Sequence, residues 1–314
     1  MPSTEGSDRL AELIDELAQL TTEATRDSVD LDTLDTLELV RLMNEGDRAV
    51  PIAVGERAPE IARAVDGIVE RFRRGGRLFY LGAGTAGRIG ILDASECPPT
   101  FGTDPELVQG LIAGGPTAVM TAVENAEDDD DAAAVELAAL GLTADDTVVG
   151  VSASGRTPYV VGGLEYARRI GALTIAVAQN GKSAIGRIAE LPIEVVVGPE
   201  FVAGSTRLKS GTAQKLVLNM LSTLAMVRLG KTYRGIMVDL VATNEKLRAR
   251  SVRTVMTITG VGAEQAEVAL DAASGRVKEA VLSLLTGISP VDAGAALADA
   301  QGLLRVAVER SAAG

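Results

Sequence analysis

A glycine-rich turn followed by acidic side chains is the segment of this chain with the clearest chemical potential. Residues 82–102 read Gly-Ala-Gly-Thr-Ala-Gly-Arg-Ile-Gly-Ile-Leu-Asp-Ala-Ser-Glu-Cys-Pro-Pro-Thr-Phe-Gly. Glycines let the backbone approach a phosphate closely, and Glu96 follows within the same segment. The chain has no histidine, the usual general base near neutral pH, so carboxylates are the leading candidates for proton transfer.

The glycine loop, residues 82–87, lies between a predicted strand and a predicted helix. Free backbone N–H groups and the helix dipole at such a junction favour an anion. The Gly-x-Gly-x-x-Gly pattern also occurs in dinucleotide sites. Such a site needs an acidic residue after a second strand, about twenty residues further on, and no residue of this chain matches that position well. A tight turn between strand and helix, without a ligand, is the other interpretation.

A second loop, residues 152–157, reads Ser-Ala-Ser-Gly-Arg-Thr and again follows a predicted strand. The hydroxyl groups of Ser152, Ser154 and Thr157 can donate to phosphate oxygens, and Gly155 permits close backbone approach. Such residues also cap helices. Two loops at the carboxyl ends of strands in one sheet, however, converge on a single crevice. We therefore predict a phosphate ligand.

A third polar segment, residues 204–212, precedes a long apolar helix and combines hydroxyl groups with Arg207 and Lys209. Its composition suits a loop that closes over a sugar or a carboxylate. The alternative is a capped helix start with solvated basic residues.

Three glutamates are candidates for acid–base chemistry. Glu96 precedes the Pro98–Pro99 pair, which is expected to stop the helix and leave Glu96 poorly solvated at an irregular junction. Taken alone, Glu96 would more often be a surface residue. Glu124 and Glu127 precede an aspartate run that indicates a solvated face, although Glu127 at its edge can turn inward.

A parallel sheet is the element that would position these loops. Strands alternate with helices, which predicts βαβ units and an α/β fold. The predicted strands are residues 77–81, 107–112, 147–151, 173–177 and 193–197. Helical spacing covers residues 7–20, 33–46, 59–73, 132–140, 158–170 and 213–229, followed by a small C-terminal bundle at 263–273, 277–285 and 290–310.

The composition restricts the classes of protein to which the chain can belong. Of 314 residues, 46% are hydrophobic but only 3% aromatic, so the core must be aliphatic, as in helices packed on a parallel sheet. The net charge of −13 argues against a nucleic-acid partner. A single cysteine, Cys97, excludes an intrachain disulfide and a cysteine-based zinc site. The N-terminus lacks a signal-peptide pattern, and the longest apolar stretch, about twelve residues, is too short to span a bilayer; a cytoplasmic protein without membrane contact is expected.

Several long motifs resemble one family. Residues 81–102, with Asp-Ala-Ser-Glu-Cys-Pro-Pro-Thr-Phe-Gly at 93–102, are similar to the signature of N-acetylmuramic acid 6-phosphate etherases, bacterial enzymes of the sugar isomerase (SIS) superfamily. The resemblance continues in order from about residue 30 to beyond residue 250. Its further motifs are Ala-Val-Glu-Asn-Ala-Glu-Asp at 122–128, Ser-Gly-Arg-Thr-Pro-Tyr-Val at 154–160, Gly-Thr-Ala-Gln-Lys-Leu-Val-Leu-Asn-Met-Leu-Ser-Thr at 211–223 and Met-Val-Asp-Leu-Val-Ala-Thr-Asn-Glu-Lys-Leu at 237–247.

The resemblance implies a fold and an activity. It implies an SIS-type three-layer sandwich with a central parallel sheet over residues 61–250, an N-terminal helical segment at 1–60 and a ubiquitin-associated-like bundle at 251–314. The implied reaction removes D-lactate from C3 of the sugar phosphate by elimination and then adds water. It needs no metal and no redox cofactor. The implied partners are a small-molecule sugar phosphate and a second copy of the chain in a homodimer. The apolar helix patterns before residue 74 are candidates for that interface and equally for core within the chain.

The resemblance also assigns roles to residues. Glu96 would protonate the departing lactate, and Glu127 would remove the proton at C2; Glu124 competes for that second role on sequence grounds alone. Ala86 stands where the family often has Ser, which puts phosphate affinity in doubt, and Thr121 where it often has His. The implied phosphate contacts are Thr85, Ala86, Gly87, Ser152, Ser154, Gly155 and Thr157. The third segment supplies the candidates for contacts to the rest of the substrate: Ser205, Thr206, Arg207 and Lys209.

Two other functions fit the same residues. An aldose–ketose isomerase would use the same C2 deprotonation and return the proton to C1. A sugar-phosphate-binding regulator, similar to the glucokinase regulatory proteins, would bind without reaction, although those proteins carry two SIS units and are much longer.

Overall fold

The computed structural model describes residues 11, 14–15, 17–25, 30–239 and 245–312. Contacts within the chain divide it into two units. The first unit is Met1–Ser95 with Glu106–Leu221, and the second is Glu96–Pro105 with Ser222–Gly314. Half of the residues of the helix predicted over 7–20 lie outside the described residues. The predicted domain boundaries at 60/61 and 250/251 stay a prediction.

Short aliphatic runs form a five-stranded sheet in the first unit. The strands are β1 Leu78–Gly82, β2 Val108–Ile112, β3 Thr147–Ser152, β4 Leu173–Ala178 and β5 Leu191–Glu194. Their order is β2-β1-β3-β4-β5, and all four pairs are parallel. The predicted α/β fold with a parallel sheet is confirmed. The bounds predicted for the last strand, 193–197, are wrong, because β5 begins at Leu191 and ends at Glu194; as an edge strand it tolerates the missing N–H of Pro192.

Helices of the first unit cover both faces of this sheet. On one face, Phe79 and Leu81 pack in one cluster with Leu137, Tyr159 and Leu164. On the other face, Tyr80 meets a helix so closely that a Cβ at Gly90 would lie 2.8 Å from the Tyr80 Cβ. The arrangement is the three-layer sandwich. Its helices are α1 Thr36–Asp47, α2 Ala49–Gly55, α3 Ala58–Arg73, α4 Gly84–Phe101, α5 Thr117–Met120, α6 Ala132–Ala139, α7 Pro158–Ile170, α8 Ala184–Ile188 and α9 Lys209–Arg228.

The expectation that the two prolines end the helix before them is wrong. Pro98 and Pro99 lie inside α4, which continues to Phe101. Both stand in its last turn, so the helix loses only the two hydrogen bonds that their N–H groups would have donated. The Gly102 N–H donates to the Pro98 carbonyl at 2.9 Å, and Gly102 leaves the helix with φ +61°.

Helices dominate the second unit. They are α10 Glu245–Thr259, α11 Ala263–Ala272, α12 Val277–Thr286, α13 Pro290–Asp299 and α14 Leu304–Ala312, beside a two-stranded antiparallel ribbon of β6 Thr232–Tyr233 and β7 Ile236–Met237. Val255, Leu270, Val281 and Leu297 belong to their common core. The single helix predicted over 290–310 is wrong, because Gln301 and Gly302 adopt positive φ and separate α13 from α14.

The described part of the chain contains no single helix with the length and apolar character of a membrane span. Only α12 and α13 taken together pass such a test, across a bend of 104°.

Candidate active site

The two loops predicted to bind phosphate follow neighbouring strands. Strand β1 pairs with β3, and Gly82 stands opposite Val151 at their carboxyl ends. From β1 the chain passes outward to β2 and then returns to β3 on the other side. Ligands of open parallel sheets bind at such a switch point, because the two loops separate there and leave a crevice. The tertiary structure thus brings residues 83–87 and 153–157 to one edge of the sheet.

Hydroxyl groups of the second loop form a small hydrogen-bonded cluster. The Ser152 Oγ lies 2.8 Å from the Thr157 Oγ1 and 3.3 Å from the Ser154 Oγ, and it accepts the Gly155 N–H at 3.0 Å. Ser152 is buried, whereas Ser154 and Thr157 are half-buried. The buried hydroxyl therefore orients two partly exposed ones, which is the arrangement that a phosphate-binding loop needs.

Gly155 is required at the turn of this loop. Its φ is +71°, and a Cβ there would lie 2.3 Å from the Cβ of Ser183. Ser183 is itself held in place, because its N–H and its hydroxyl both donate to Glu194 Oε1 at 2.8 Å. The fold therefore requires glycine at position 155, the residue that the sequence suggested for close backbone approach.

The glycine loop uses part of its own backbone. The N–H groups of Ala86 and Gly87 donate to the Ala83 carbonyl at 3.1 and 3.4 Å. Both residues are buried, whereas Thr85 is half-buried and Gly84 is exposed with φ +52°. Thr85 is therefore the member of the predicted set 85–87 whose side chain keeps a polar group near the surface of this loop.

The third segment meets the glycine loop at Gly211. A Cβ on Gly211 would lie 3.4 Å from the Thr85 Cγ2, and the Gly211 N–H donates to the Thr206 carbonyl at 2.9 Å. Ser205 and Thr206 are half-buried, and Arg207 is exposed. This packing places the start of α9 beside Thr85, as the prediction of a converging third loop requires.

Lys209 is held by the protein itself. Its ammonium group is buried and donates to the Val197 carbonyl at 2.6 Å. The Lys209 and Ser210 N–H groups donate to the two oxygens of Glu200, at 2.8 and 2.9 Å, and Glu200 is fully buried. The Glu200 carboxylate thus satisfies the first amides of α9.

Sequence reasoning missed three polar residues that hold these elements. Besides Glu200, Asn180 donates to the Ala153 carbonyl at 2.9 Å and accepts from the Thr21 N–H at 2.8 Å. Asp93 accepts from the Tyr80 hydroxyl at 2.8 Å and from the Asn219 amide at 2.6 Å. The Asp93 bonds anchor α4 one turn before Glu96. Their partners belong to other elements of the fold, so local spacing carries no signal for them.

Glu124 and Glu127 line one cavity of about 220 Å³ together with Gly84 of the glycine loop. Both carboxylates are exposed. Arg88 also lines this cavity, and its guanidinium donates to the carbonyls of residues 118 and 119 at 2.7 and 2.8 Å, which ties α5, the short helix before the acidic segment, to α4. The structure therefore places these two candidates beside Gly84 of the glycine loop.

Glu96 differs from expectation. It belongs to the second unit and is exposed on the regular part of α4, not poorly solvated at an irregular junction. The reason is the continuation of α4 through the two prolines, which keeps the Glu96 side chain on the solvent-facing side of the helix.

Comparison with known proteins gives consistent results. Residues 60–168 match the family model described as glucokinase regulatory protein N-terminal SIS domain, and residues 122–224 match the SIS domain. The chain is 59% identical to an N-acetylmuramic acid 6-phosphate etherase of Streptomyces avermitilis, over 93% of this chain and 94% of that protein. The etherase of Mesorhizobium japonicum is 54% identical, over 90% and 92%. A solved phosphoheptose isomerase from Francisella tularensis is 21% identical, with a TM-score of 0.49, over 62% of this chain and 100% of that one.

Proposed function

The chain belongs to the N-acetylmuramic acid 6-phosphate etherases of the SIS superfamily, and from this premise we propose which of its residues bind the substrate and which transfer protons. It is a carbon–oxygen lyase. It cleaves the D-lactyl ether of N-acetylmuramic acid 6-phosphate and yields N-acetylglucosamine 6-phosphate and D-lactate, a step in the recycling of cell-wall amino sugars. The crevice between β1 and β3 binds the sugar phosphate, and Glu127 and Glu96 transfer the protons.

The observation that carries the phosphate assignment is the adjacency of the two loops at the switch point of the sheet. Ser154 and Thr157 present hydroxyl donors, with Ser152 behind them. The amino end of α4 begins at Gly84, on the neighbouring strand, and favours negative charge. Thr85 adds a third hydroxyl. Ser205, Thr206 and Arg207, in the segment beside Thr85, contact the rest of the sugar, whereas Lys209 supports this segment through Val197.

The reaction needs two carboxyl groups in opposite protonation states. In the ring-opened sugar, C2 lies next to the C1 aldehyde, so the Glu127 carboxylate can remove the C2 proton. Glu96 is the acid that gives a proton to the ether oxygen as the C3–O bond breaks and lactate leaves. Water then adds at C3 of the unsaturated aldehyde, and a proton returns to C2. The cavity shared by Glu127 and Gly84 supports the placement of the base beside the phosphate crevice.

Three matched amide variants test these roles. Glu96, Glu124 and Glu127 are all exposed, so Gln at each position leaves the fold intact. We expect Glu96→Gln and Glu127→Gln to release D-lactate about 10²–10⁴ times more slowly than wild type. Glu124→Gln, which removes the same charge from the same cavity, stays close to wild type.

Exchange of the C2 proton in D₂O separates the base from the acid. Glu96→Gln should still exchange this proton, since only lactate departure is blocked, whereas Glu127→Gln should not. Loss of exchange in Glu124→Gln with retention in Glu127→Gln would assign the base to Glu124. Full lactate release by Glu127→Gln would remove Glu127 from the mechanism. Ketose formation without lactate would instead indicate an isomerase, and sugar-phosphate binding without either product a regulator.

A homodimer is the proposed assembly. Leu37 and Val40 on α1 and Ile52 on α2 are 55%, 59% and 66% exposed, so the N-terminal helices carry apolar surface that a second copy would cover. Light scattering after gel filtration should give a dimer that Ile52→Asp converts to a monomer. Val135→Asp, at an equally exposed position on α6, is the control and should leave the dimer intact. A monomeric wild type contradicts the proposal. The cytoplasm remains the predicted compartment.

A further inference from the structure

A cavity in the second unit is lined by residues that take no part in the proposed reaction. Its volume is about 560 Å³, within the range of small-molecule pockets. The start of α12, the end of the β6–β7 ribbon and the turn between α13 and α14 form its walls. Gly102, the residue that follows the helix carrying Glu96, is also part of the wall.

The charged side chains that line this cavity do not balance. The Asp239 carboxylate accepts from the Lys278 ammonium at 2.9 Å and from the Lys231 ammonium at 3.0 Å, so two cations share one anion. Arg276 and Glu279 form a separate ion pair. Among the described residues that line the cavity, one positive charge is therefore left over.

Lys278 is the less solvated of the two lysines. Its side chain is 11% exposed, against 24% for Lys231. Burial lowers the pKa of the Lys278 ammonium and the nearby Lys231 lowers it further, while Asp239 opposes both effects. A second anion at this position would supply the compensation that Asp239 provides only in part.

The amino end of α12 opens on the same cavity. Residues 274–279 line it, and Arg276 at the N-cap position makes no side-chain capping hydrogen bond. The first N–H groups of a helix need acceptors, and the helix dipole adds partial positive charge at that end. This contribution has the same sign as the excess charge of the lysine pair.

We propose that this cavity binds the oxyanion group of a small metabolite, a phosphate or a carboxylate, between Lys231, Lys278 and the amino end of α12. The site is separate from the phosphate crevice of the first unit, and the proposal does not depend on the etherase activity. Because Gly102 lines the cavity, an occupant would contact the end of the helix that carries Glu96.

Titration calorimetry on the full chain tests this site in a background in which the crevice is weakened. The background is a Ser154→Ala, Thr157→Val double variant, in which the crevice loses two hydroxyl donors. Inorganic phosphate, D-lactate and glucose 6-phosphate are titrated separately, so that phosphate and carboxylate sources are distinguished. We expect saturable binding of at least one of these anions in this background.

Variants of opposite expected effect identify the location. Lys278→Met or Lys231→Met should weaken binding about tenfold or more, since each removes a charged hydrogen-bond donor. Asp239→Asn should strengthen binding, because it removes the carboxylate that competes for both lysines. Arg253→Met, which removes an exposed positive charge elsewhere in the second unit, should change nothing.

The opposite results overturn the proposal. These are no saturable binding of any of the three anions, equal weakening by Arg253→Met, or affinity unaffected by both lysine substitutions. Thermal melting checks that each variant is folded. If Lys278→Met does not fold, the Lys231→Met and Asp239→Asn pair still decides, because weaker binding in the first and tighter binding in the second are both required.

Discussion

Replacing Gly155 by alanine tests whether the loop after β3 is held rigidly enough to serve as a phosphate cradle. The backbone there has φ +71°, and the new Cβ would stand 2.3 Å from the Ser183 Cβ and 3.3 Å from the Ala178 Cβ. Ser183 cannot retreat easily, because its N–H and hydroxyl are bonded to Glu194 and its hydroxyl accepts the Gly186 N–H at 3.0 Å.

The expected cost has two parts. Alanine in the left-handed region costs about 1–2 kcal/mol, and overpacking against a fixed neighbour costs about 1–3 kcal/mol. Gly155→Ala should therefore lower the free energy of unfolding by about 2–5 kcal/mol. Gly171→Ala is the matched control: φ is +88°, but the nearest atom to the added Cβ is the Ala144 Cβ at an ordinary 3.5 Å. It should show the conformational part alone, about 1–2 kcal/mol.

Urea unfolding measures these stabilities, and steady-state D-lactate release measures the site. The Gly155 N–H donates to the Ser152 Oγ, so a displaced loop disturbs the hydroxyl groups that we assign to phosphate binding. We expect KM for the sugar phosphate to rise about tenfold in Gly155→Ala, the loss of roughly one charged hydrogen bond. It should stay unchanged in Gly171→Ala. Equal destabilisation by both substitutions together with an unchanged KM would refute the reasoning.

Three further substitutions address the polar contacts that hold the first unit. Asp146 accepts from Arg77 and from the Thr143 N–H, and Asp146→Asn should destabilise the protein by about 3 kcal/mol in urea unfolding. Burial alone would raise the pKa of Asp146, but these hydrogen bonds lower it, so the stability that Asp146 contributes is complete above about pH 4 and is lost as pH falls through the lowered pKa. The difference in unfolding free energy between wild type and Asp146→Asn should therefore narrow below about pH 4. A difference that widens there would contradict this. Glu200→Ala removes the acceptor of two buried N–H groups and should lower the free energy of unfolding by about 2–4 kcal/mol, measured by thermal melting. A decrease below about 1 kcal/mol would show that water replaces the carboxylate. Asp93→Asn turns one accepting oxygen into a donor that faces Tyr80 or Asn219; it should lower both the melting temperature and kcat for D-lactate release, and an unchanged kcat would separate this anchor from the placement of Glu96.

Helices and strands whose ends are marked by particular residues could be predicted from the sequence. The helix predicted over residues 158–170 has those bounds in the structure, because Pro158 suits its first turn and Gly171 ends it with φ +88°. Strand residues 147–151 and 173–177 were predicted from short aliphatic runs, and each strand is one residue longer. Sequence reasoning failed where context overrides a local rule. The prolines at 98 and 99 are tolerated in a last turn, and Gln301 with Gly302 breaks a run that looks continuously helical.

The candidate site was predictable in its parts. The motifs around Glu96 and Glu127 identified the family, which the etherase relatives confirm. The hydroxyl-rich loop at 152–157 was recognisable because a strand, a Ser/Gly turn and a helix follow one another directly. The buried partners Glu200, Asn180 and Asp93 were not, since each bonds groups that are distant in the sequence or belong to another element.

The sequence by itself determined where strands β1 to β4 lie, which loops carry glycine and hydroxyl groups, and to which family the chain belongs, because each is encoded in short runs of neighbouring residues. Only the tertiary structure decided that β1 lies beside β3, which makes the two loops neighbours across 70 residues of chain. It also decided that Lys209 bonds to Val197 and that two lysines share Asp239. These outcomes depend on strand order and helix packing, in which contacts between distant residues select one arrangement among many that the same local patterns permit.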